Sequence, residues 1–455
     1  MNTTGLVRLT IAAPGRRIDL ALPDRAPLAE ILPGLLRQAG EHLADSGVNN
    51  GGWALHRADG SVLEPERTLA AHRVLDGEIL HLMPAGTDWP ELEYDDLVDA
   101  IAAGSTRAGS AWGPRHTRWA GLATGVVALV ATLLAIVRAG PPWPWPALCA
   151  LGVAVLVLAG GMVLARAVGD SAAGAVLGAS ALPFAFVGGG LLWADGRALA
   201  ELGAPHLLAA GTALLLAAIA GLPGVVDRAA IFVTAATIGL LAMLGAWLRT
   251  TEALDGHEAA AIVAGAGLAF SPLLAPLSIR LARVPMPVLP RGTADLLRDN
   301  PQPPRSAVYA AVVRADGLLT GMLAGLAVAV VVCQALLVHS GGAAALVLVG
   351  VLTVGFLLRA RLYPIFVQRF ALLAAGGSGA FCLAVDHANP LSLAVPVLVA
   401  VGALGALAGL WYSRHRASPY LGRAAELLEV VVVLAIVPVV CAVLGLYGYV
   451  RGLGG

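Results

Sequence analysis

Lysine is absent from this 455-residue chain: all 29 of its basic residues are arginine. That excludes two chemistries. A P-loop motor needs its Walker lysine on the β/γ-phosphates, and a pyridoxal-dependent enzyme needs a lysine amine for its Schiff base. Charge of either sign is scarce too, at 13% of residues against about 25% in soluble proteins. The formal net charge is zero, which leaves no basic footprint for nucleic acid. Cysteine is nearly missing. Cys149, Cys333, Cys382 and Cys441 stand far apart inside apolar segments, so neither a disulfide framework nor a CxxC metal pair is present. Their positions predict four buried small hydrophobes.

What the chain has in abundance is apolar residues, 58% of the total. They gather into about eleven segments of roughly twenty residues, each long enough as a helix (~1.5 Å rise per residue) to cross a ~30 Å hydrocarbon core. The expected spans are 118–138, 146–167, 171–192, 205–222, 229–248, 259–281, 316–338, 342–358, 365–385, 391–411 and 425–450. Met1 to Thr10 carries no apolar h-region, so no cleavable signal peptide is expected, and the region before the first span should stay on the side where it is made.

Residues 1–85 read differently. Val7, Leu9 and Ile11 alternate with Leu6, Arg8 and Thr10, and after a Pro14-Gly15 turn Ile18, Leu20 and Leu22 alternate with Arg17, Asp19 and Ala21. Period two marks half-buried strands around a hairpin turn. Leu28, Ile31, Leu32, Leu35 and Leu36 then share one helical face, with Pro27 at its start, Gly40 at its end and Pro33 expected to kink it. A Gly-rich stretch (Asn49–Gly52) leads to Trp53, Leu55 and Arg57, Asp59-Gly60 marks a turn, and Leu75 to Leu82 is a turn feeding a last strand. That order predicts a small α+β domain of the ubiquitin-like β-grasp type. His42, His56, His72 and His81 lack metal-ligand spacing and are expected to be solvated or on hairpin faces.

Residues 86–117 form a tether. Asp88, Glu91, Glu93, Asp95, Asp96 and Asp99 make it acidic, and Leu92, Leu97, Val98 and Ile101 add a weak apolar stripe. It is either a solvated spacer or a short docking helix. The stretch from Gly104 to Gly113 is expected to be flexible.

Within the membrane domain, 118–450, the arginines alternate by loop. With the N-terminus inside, the inner loops hold Arg115, Arg118, Arg166, Arg228, Arg280, Arg283, Arg291, Arg298, Arg305, Arg314, Arg359, Arg361, Arg414, Arg416 and Arg423. The outer loops hold Arg138, Arg197, Arg249 and Arg451. This is the positive-inside pattern, and an odd span count puts the C-terminus outside. Gly317, Gly321 and Gly325 recur every four residues, as do Gly121/Gly125, Gly174/Gly178 and Gly405/Gly409. Such small-residue faces suit close helix packing within the chain or, alternatively, against a partner.

Ionisable groups inside the spans are few. Asp170, Asp195, Asp316, Asp386, Glu426 and Glu429 fall at or near span ends, and Gln334, Gln368 and Arg369 are expected to be interfacial. No HExxH occurs, since His257-Glu258 is followed by alanines, and no acid–base relay or ion-ligand cluster is legible. Catalytic, cofactor and metal residues are therefore expected to be none. The inner loop 282–315 stands out, carrying Arg283, Arg291, Arg298, Arg305 and six prolines, and it reads as a lipid-headgroup or partner contact.

This combination resembles the EccD family, the polytopic subunit of actinobacterial type VII (ESX) secretion systems. The resemblance covers the whole chain and rests on architecture, on the Leu75–Leu82 strand with Asp76-Gly77-Glu78, and on the Trp89-Pro90 to Tyr94 tether. It implies a non-catalytic scaffold of the cell membrane that assembles with EccB-, EccC- and EccE-like subunits, EccC supplying the ATPase, and that forms an EccD–EccD pair. It implies that the ubiquitin-like domain meets cytosolic parts of partners and that the cargo is small helical-hairpin proteins. The competing reading is a secondary transporter or permease with a regulatory N-terminal domain, which sparse intramembrane charge disfavours. A membrane-bound enzyme is weaker still, for want of a site.

Overall fold

The computed structural model describes residues 5–13, 16–40, 52–57, 61–85, 112–224, 228–250, 254–285, 304–387 and 419–453, with single positions between 399 and 410. Contacts divide the chain into two compact units, Met1–Trp112 and Gly113–Gly455.

In the first unit, β1 (Leu6–Ala13) and β2 (Arg16–Pro23) pair antiparallel through the full hairpin register. α1 (Leu28–Ala39) follows, then β3 (Trp53–His56) and β4 (Ile79–Pro84). The sheet order is β2-β1-β4-β3, with β1 and β4 parallel at its centre. This is the β-grasp arrangement that the strand order implied. Leu9 and Ile11 of β1, Leu28 and Leu35 of α1, and Leu80 and Leu82 of β4 fill the core, so one face of each period points inward as expected. α1 runs unbroken past Pro33. His56 departs from expectation: it is buried, and its Nε2 has no partner among the described residues. All four positions of β3 are buried, and Ser61–Leu63 run back beside it through the Arg57 N–H to Ser61 O and Leu63 N–H to Leu55 O bonds. His42, Asp59-Gly60, the linker's acidic stretch and the 104–111 segment lie outside the described residues.

The second unit is helical. Its elements are α2 (Pro114–Arg138), α3 (Pro144–Arg166), α4 (Ser171–Leu191), α5 (Ala204–Gly221), α6 (Ala229–Thr250), α7 (Gly256–Phe270), α8 (Leu274–Leu281), α9 (Arg305–His339), α10 (Ala343–Ala360), α11 (Phe366–His387), α12 (Pro419–Val443) and α13 (Leu446–Leu453). Among the described residues, ten helical segments are long and apolar enough to cross a membrane, α7 and α8 counting as one. Of the expected tenth span, 391–411, Val399, Gly402, Ala403, Gly405, Leu407, Gly409 and Leu410 are helical and the remainder lies outside the described residues.

Three boundaries move for visible reasons. The sixth span breaks at Ser271–Leu273, a 3₁₀ turn that contains Pro272. The last one breaks before α13, where Gly445 takes φ +67°. The seventh begins at Arg305 rather than 316, because Pro304 opens an Ala/Val-rich run that stays helical for 35 residues. At ~1.5 Å per residue that helix is about 52 Å long, well beyond a ~30 Å hydrocarbon core. The loop 282–315 is thus a helix over its last eleven residues.

α3 packs on α4, α5 on both α4 and α6, and α6 on α9. On the far side α9 meets α7 and α11, while α10 meets α11 and α12. Leu268, Leu323, Val330, Leu348, Leu352 and Phe356 form the largest core there. α2 buries none of its residues. Of the cysteines, Cys333 is buried and Cys382 and Cys441 are half-buried, but Cys149 is exposed on α3, contrary to the expectation of four buried thiols.

Candidate functional site

Two places concentrate polar contacts. The first is the turn before β4. Asp76 Oδ1 accepts the Arg8 N–H at 2.6 Å, and the Gly77 N–H donates to Arg8 O at 2.7 Å with Gly77 at φ +87°. Glu78 takes the Arg57 guanidinium at 2.8 Å and the Leu75 N–H at 2.8 Å, while Arg57 also donates to His72 O. Asp76-Gly77-Glu78 therefore locks the turn that sets β4 in register beside β1. Leu75 and Ile79 on either side of it remain exposed, as do Leu6, Val62 and Met83 elsewhere on the unit. Apolar side chains on an otherwise polar small domain are the raw material of a protein contact.

The second place is the α9–α10–α11–α12 quarter of the membrane unit. Glu429 of α12 is held by Arg359 at 3.1 Å and Arg361 at 3.0 Å, with little of the Glu429 or Arg359 side chain exposed. Arg361 also donates to Gly422 O. Tyr363 packs into the nearby core, and burial, more than the opposing field of Arg359, holds its hydroxyl above the usual tyrosine range. Gln368 of α11 donates to Asp316 Oδ1 at 2.8 Å and to Thr320 Oγ1 at 3.0 Å, both on α9. Deeper in, Ser378 donates to Gln334 Oε1 at 2.7 Å, where Gly379 lets α11 approach. Interhelical bonds of this kind contribute about 0.6–2 kcal/mol each in a membrane setting.

These contacts overturn part of the sequence reading. Gln334 and Gln368 are buried cross-links between helices, not interfacial groups. Arg359, counted with the inner-loop arginines, is buried in the last turn of α10 against Glu429. The missed signal was a pairing 68 residues apart in sequence: two arginines closing one span and Glu426/Glu429 opening another, on the same expected side. Glu426 is exposed, so spacing alone would not have chosen between the two acids.

The expected site residues separate. Arg283 is exposed, with φ +53° just past α8, and Arg305 is exposed at the start of α9. Arg291 and Arg298 lie outside the described residues. A Cβ at Gly321 would lie 2.6 Å from Ala230 O, and one at Gly325 2.6 Å from Thr237 Cβ, so both seat α9 against α6. Gly317 meets nothing within 4 Å, and neither do Gly121 and Gly125. Gly174 and Gly178 do pack, on α3 and on Phe232. The repeat of four thus continues past the contact, because only two of its three glycines face α6.

Residues 117–453 match the family model described as the EccD-like transmembrane domain. Residues 6–82 match that of YukD, a protein of the WXG100 secretion system. The chain is 28% identical to the ESX-4 secretion system protein eccD4 of Mycobacterium tuberculosis (strain H37Rv), over 99% of this chain and 98% of that one. It is 27% identical to the ESX-1 protein EccD1 of the same strain, over 98% and 95%. Among solved structures it resembles a chain of protomer 1 of the ESX-3 core complex (TM-score 0.61, 21% identity, 98% of this chain and all of that one). It also resembles a chain of the ESX-5 inner membrane complex (TM-score 0.58, 24% identity, 90% and 100%). At those identities the two structures speak for the fold.

Proposed function

The chain belongs to the EccD family, and from that premise we propose that it is a non-catalytic scaffold subunit of a type VII (ESX) secretion complex in the cell membrane. The observation that carries the reading is the coupling of a ubiquitin-like unit to a helical membrane unit in which buried polar side chains tie neighbouring helices together. Glu429, Gln368 and Gln334 each bond to a neighbouring helix, which ties helices together and, among the described residues, leaves no set of facing acids to carry an ion. Such a bundle organises neighbours, and energy for export has to come from an ATPase partner.

In this reading the N-terminus and the Arg283–Arg305 region face the cytoplasm and the C-terminus lies outside. The exposed apolar residues around Asp76-Gly77-Glu78 dock cytosolic parts of EccB-, EccC- or EccE-like partners. The basic inner surface, through Arg283, Arg291, Arg298 and Arg305, meets lipid headgroups or those partners. The poorly covered α2 suits a contact with another EccD copy.

Deleting residues 1–85 tests the division of labour. The truncated chain should still insert but lose copurification of the ATPase and single-pass partners. Normal assembly and secretion by the truncated chain would remove the docking role, and solute uptake by vesicles holding this chain alone would favour a transporter.

A further inference from the structure

We propose that the acidic linker, residues 86–99, docks on the outer face of the ubiquitin-like unit's own sheet, with its carboxylates on Arg16 and Arg17. The strand register defines that face. Leu9, Leu20, Leu55 and Leu82 point into the core, so the residues next to them on each strand point the other way. Arg17 of β2, Ala12 of β1, His81 of β4 and His56 of β3 thus stand side by side in one row across the outer face. Arg16 adjoins the row at the hairpin end.

That row holds no acid. Arg16 and Arg17 are exposed and make no ion pair among the described residues. Asp19, two positions further along β2, already accepts the Thr10 hydroxyl at 2.7 Å. Next to the row on β4, Met83 is 44% exposed. His56 is buried, with its Nε2 unpartnered among the described residues. A face that combines fixed cations, an exposed apolar side chain and an unpaired polar atom fits a segment that is acidic and partly apolar.

The linker is such a segment, and it starts in the right place. From Gly86 to Asp99 it carries six acids and no basic residue, with Trp89, Leu92, Tyr94, Leu97 and Val98 between them. β4 ends at Pro84, on the same end of the sheet as Arg16 and Arg17. From Ala85 to Arg17 the path runs four residues back and two strands across, about 16 Å at ~3.3 Å per residue and ~4.8 Å per strand. The six residues from Ala85 to Glu91 span up to about 20 Å, which is enough. A free acidic partner has to compete with a segment tethered at millimolar effective concentration. Contacts also assign the linker to this unit, since the boundary between units falls at Trp112, past the acids rather than before them. Of the two readings of the linker, solvated spacer or docking element, the geometry favours docking. The inference does not depend on the secretion partners.

The absence of lysine supplies the test. Arg17→Lys in the full chain, in detergent, introduces a single side-chain amine, and a carbodiimide joins it by an amide bond only to a carboxylate already in contact. Peptide mass spectrometry should find that bond to an acid between Asp88 and Asp99. In a mixture of isotope-labelled and unlabelled chains, both ends of the link should carry the same label. Coupling should fall roughly five-fold or more at about 1 M salt, where the Debye length is about 3 Å. Arg37→Lys, exposed on α1 against the opposite face of the sheet, should not reach the linker. Both exchanges keep the charge at exposed positions, so neither disturbs the fold. A link to Asp19 alone, to an acid of the membrane unit or to a second chain overturns the proposal, as does equal coupling from positions 17 and 37 or no coupling at all.

Discussion

Glu429 and Arg359 meet at 3.1 Å between α12 and α10, both side chains nearly out of contact with solvent or lipid. Arg361 approaches the same carboxylate at 3.0 Å from the turn beyond α10. One acid thereby answers two arginines and fixes the last long helix to the bundle. Removing one partner of a buried pair leaves an uncompensated charge, which costs about 3–5 kcal/mol. Glu429→Ala should lower thermal stability in detergent strongly, while Glu426→Ala, on an exposed side chain one turn earlier, should leave it within about 0.5 kcal/mol. Equal effects from the two substitutions would remove Glu429 as the anchor of α12.

Gly325 and Gly317 provide a second comparison on one helix. Leucine at 325 drives into Thr237 and the Thr234 carbonyl, and overpacking of this kind costs about 1–3 kcal/mol. Leucine at 317 enters open space. Gly325→Leu should therefore reduce the yield of folded, monodisperse protein and Gly317→Leu should not, as read by size-exclusion chromatography after heating.

In the ubiquitin-like unit, Gly77 and Gly34 should respond to alanine with opposite signs. Gly77 sits at φ +87°, where an L side chain is strained, so Gly77→Ala should cost about 1 kcal/mol or more. Gly34 lies inside α1 with nothing within 4 Å, and Gly34→Ala should stabilise by up to about 1 kcal/mol. Limited proteolysis of the full chain, followed at the N-terminal unit, separates them: faster cleavage for the first and slower for the second. Matching rates would refute the turn's role.

Orientation can be read from two serines. In a chain whose four cysteines are replaced, Ser306→Cys lies at the start of α9 and Ser340→Cys just past its end. With the basic surface cytoplasmic, an impermeant maleimide applied to intact cells should label position 340 and spare 306. The reverse pattern would invert the proposed topology.

Much of this molecule was legible along the chain, and the reason is that the informative signals were local. A run of twenty apolar residues commits its backbone to a helix because lipid offers no hydrogen-bond partner. Alternation in Val7–Ile11 and the i, i+3, i+4 spacing from Leu28 to Leu36 fix which way each side chain points. Asp76-Gly77-Glu78 announced a turn for the same reason, although the Arg8 and Arg57 contacts that hold it come from elsewhere in the chain. Even the start of α9 could have been read from Pro304 and the Ala/Val run behind it, though hydropathy placed it at 316.

From its own letters, then, the chain determined its residence in a membrane, the approximate spans and the β-grasp unit at its N-terminus, because each follows from residues close in sequence. Only the tertiary structure decided that Glu429 rather than Glu426 meets Arg359, that Gly321 and Gly325 but not Gly317 touch α6, and that Gln334 bonds to Ser378. The same holds for the groove lined by Phe186, Gly245, Val263 and Leu336, whose walls come from residues up to about 150 positions apart in sequence. A helix in lipid is apolar on every side, so hydropathy cannot say which side meets a neighbour; that is set by the shapes of the surfaces brought together.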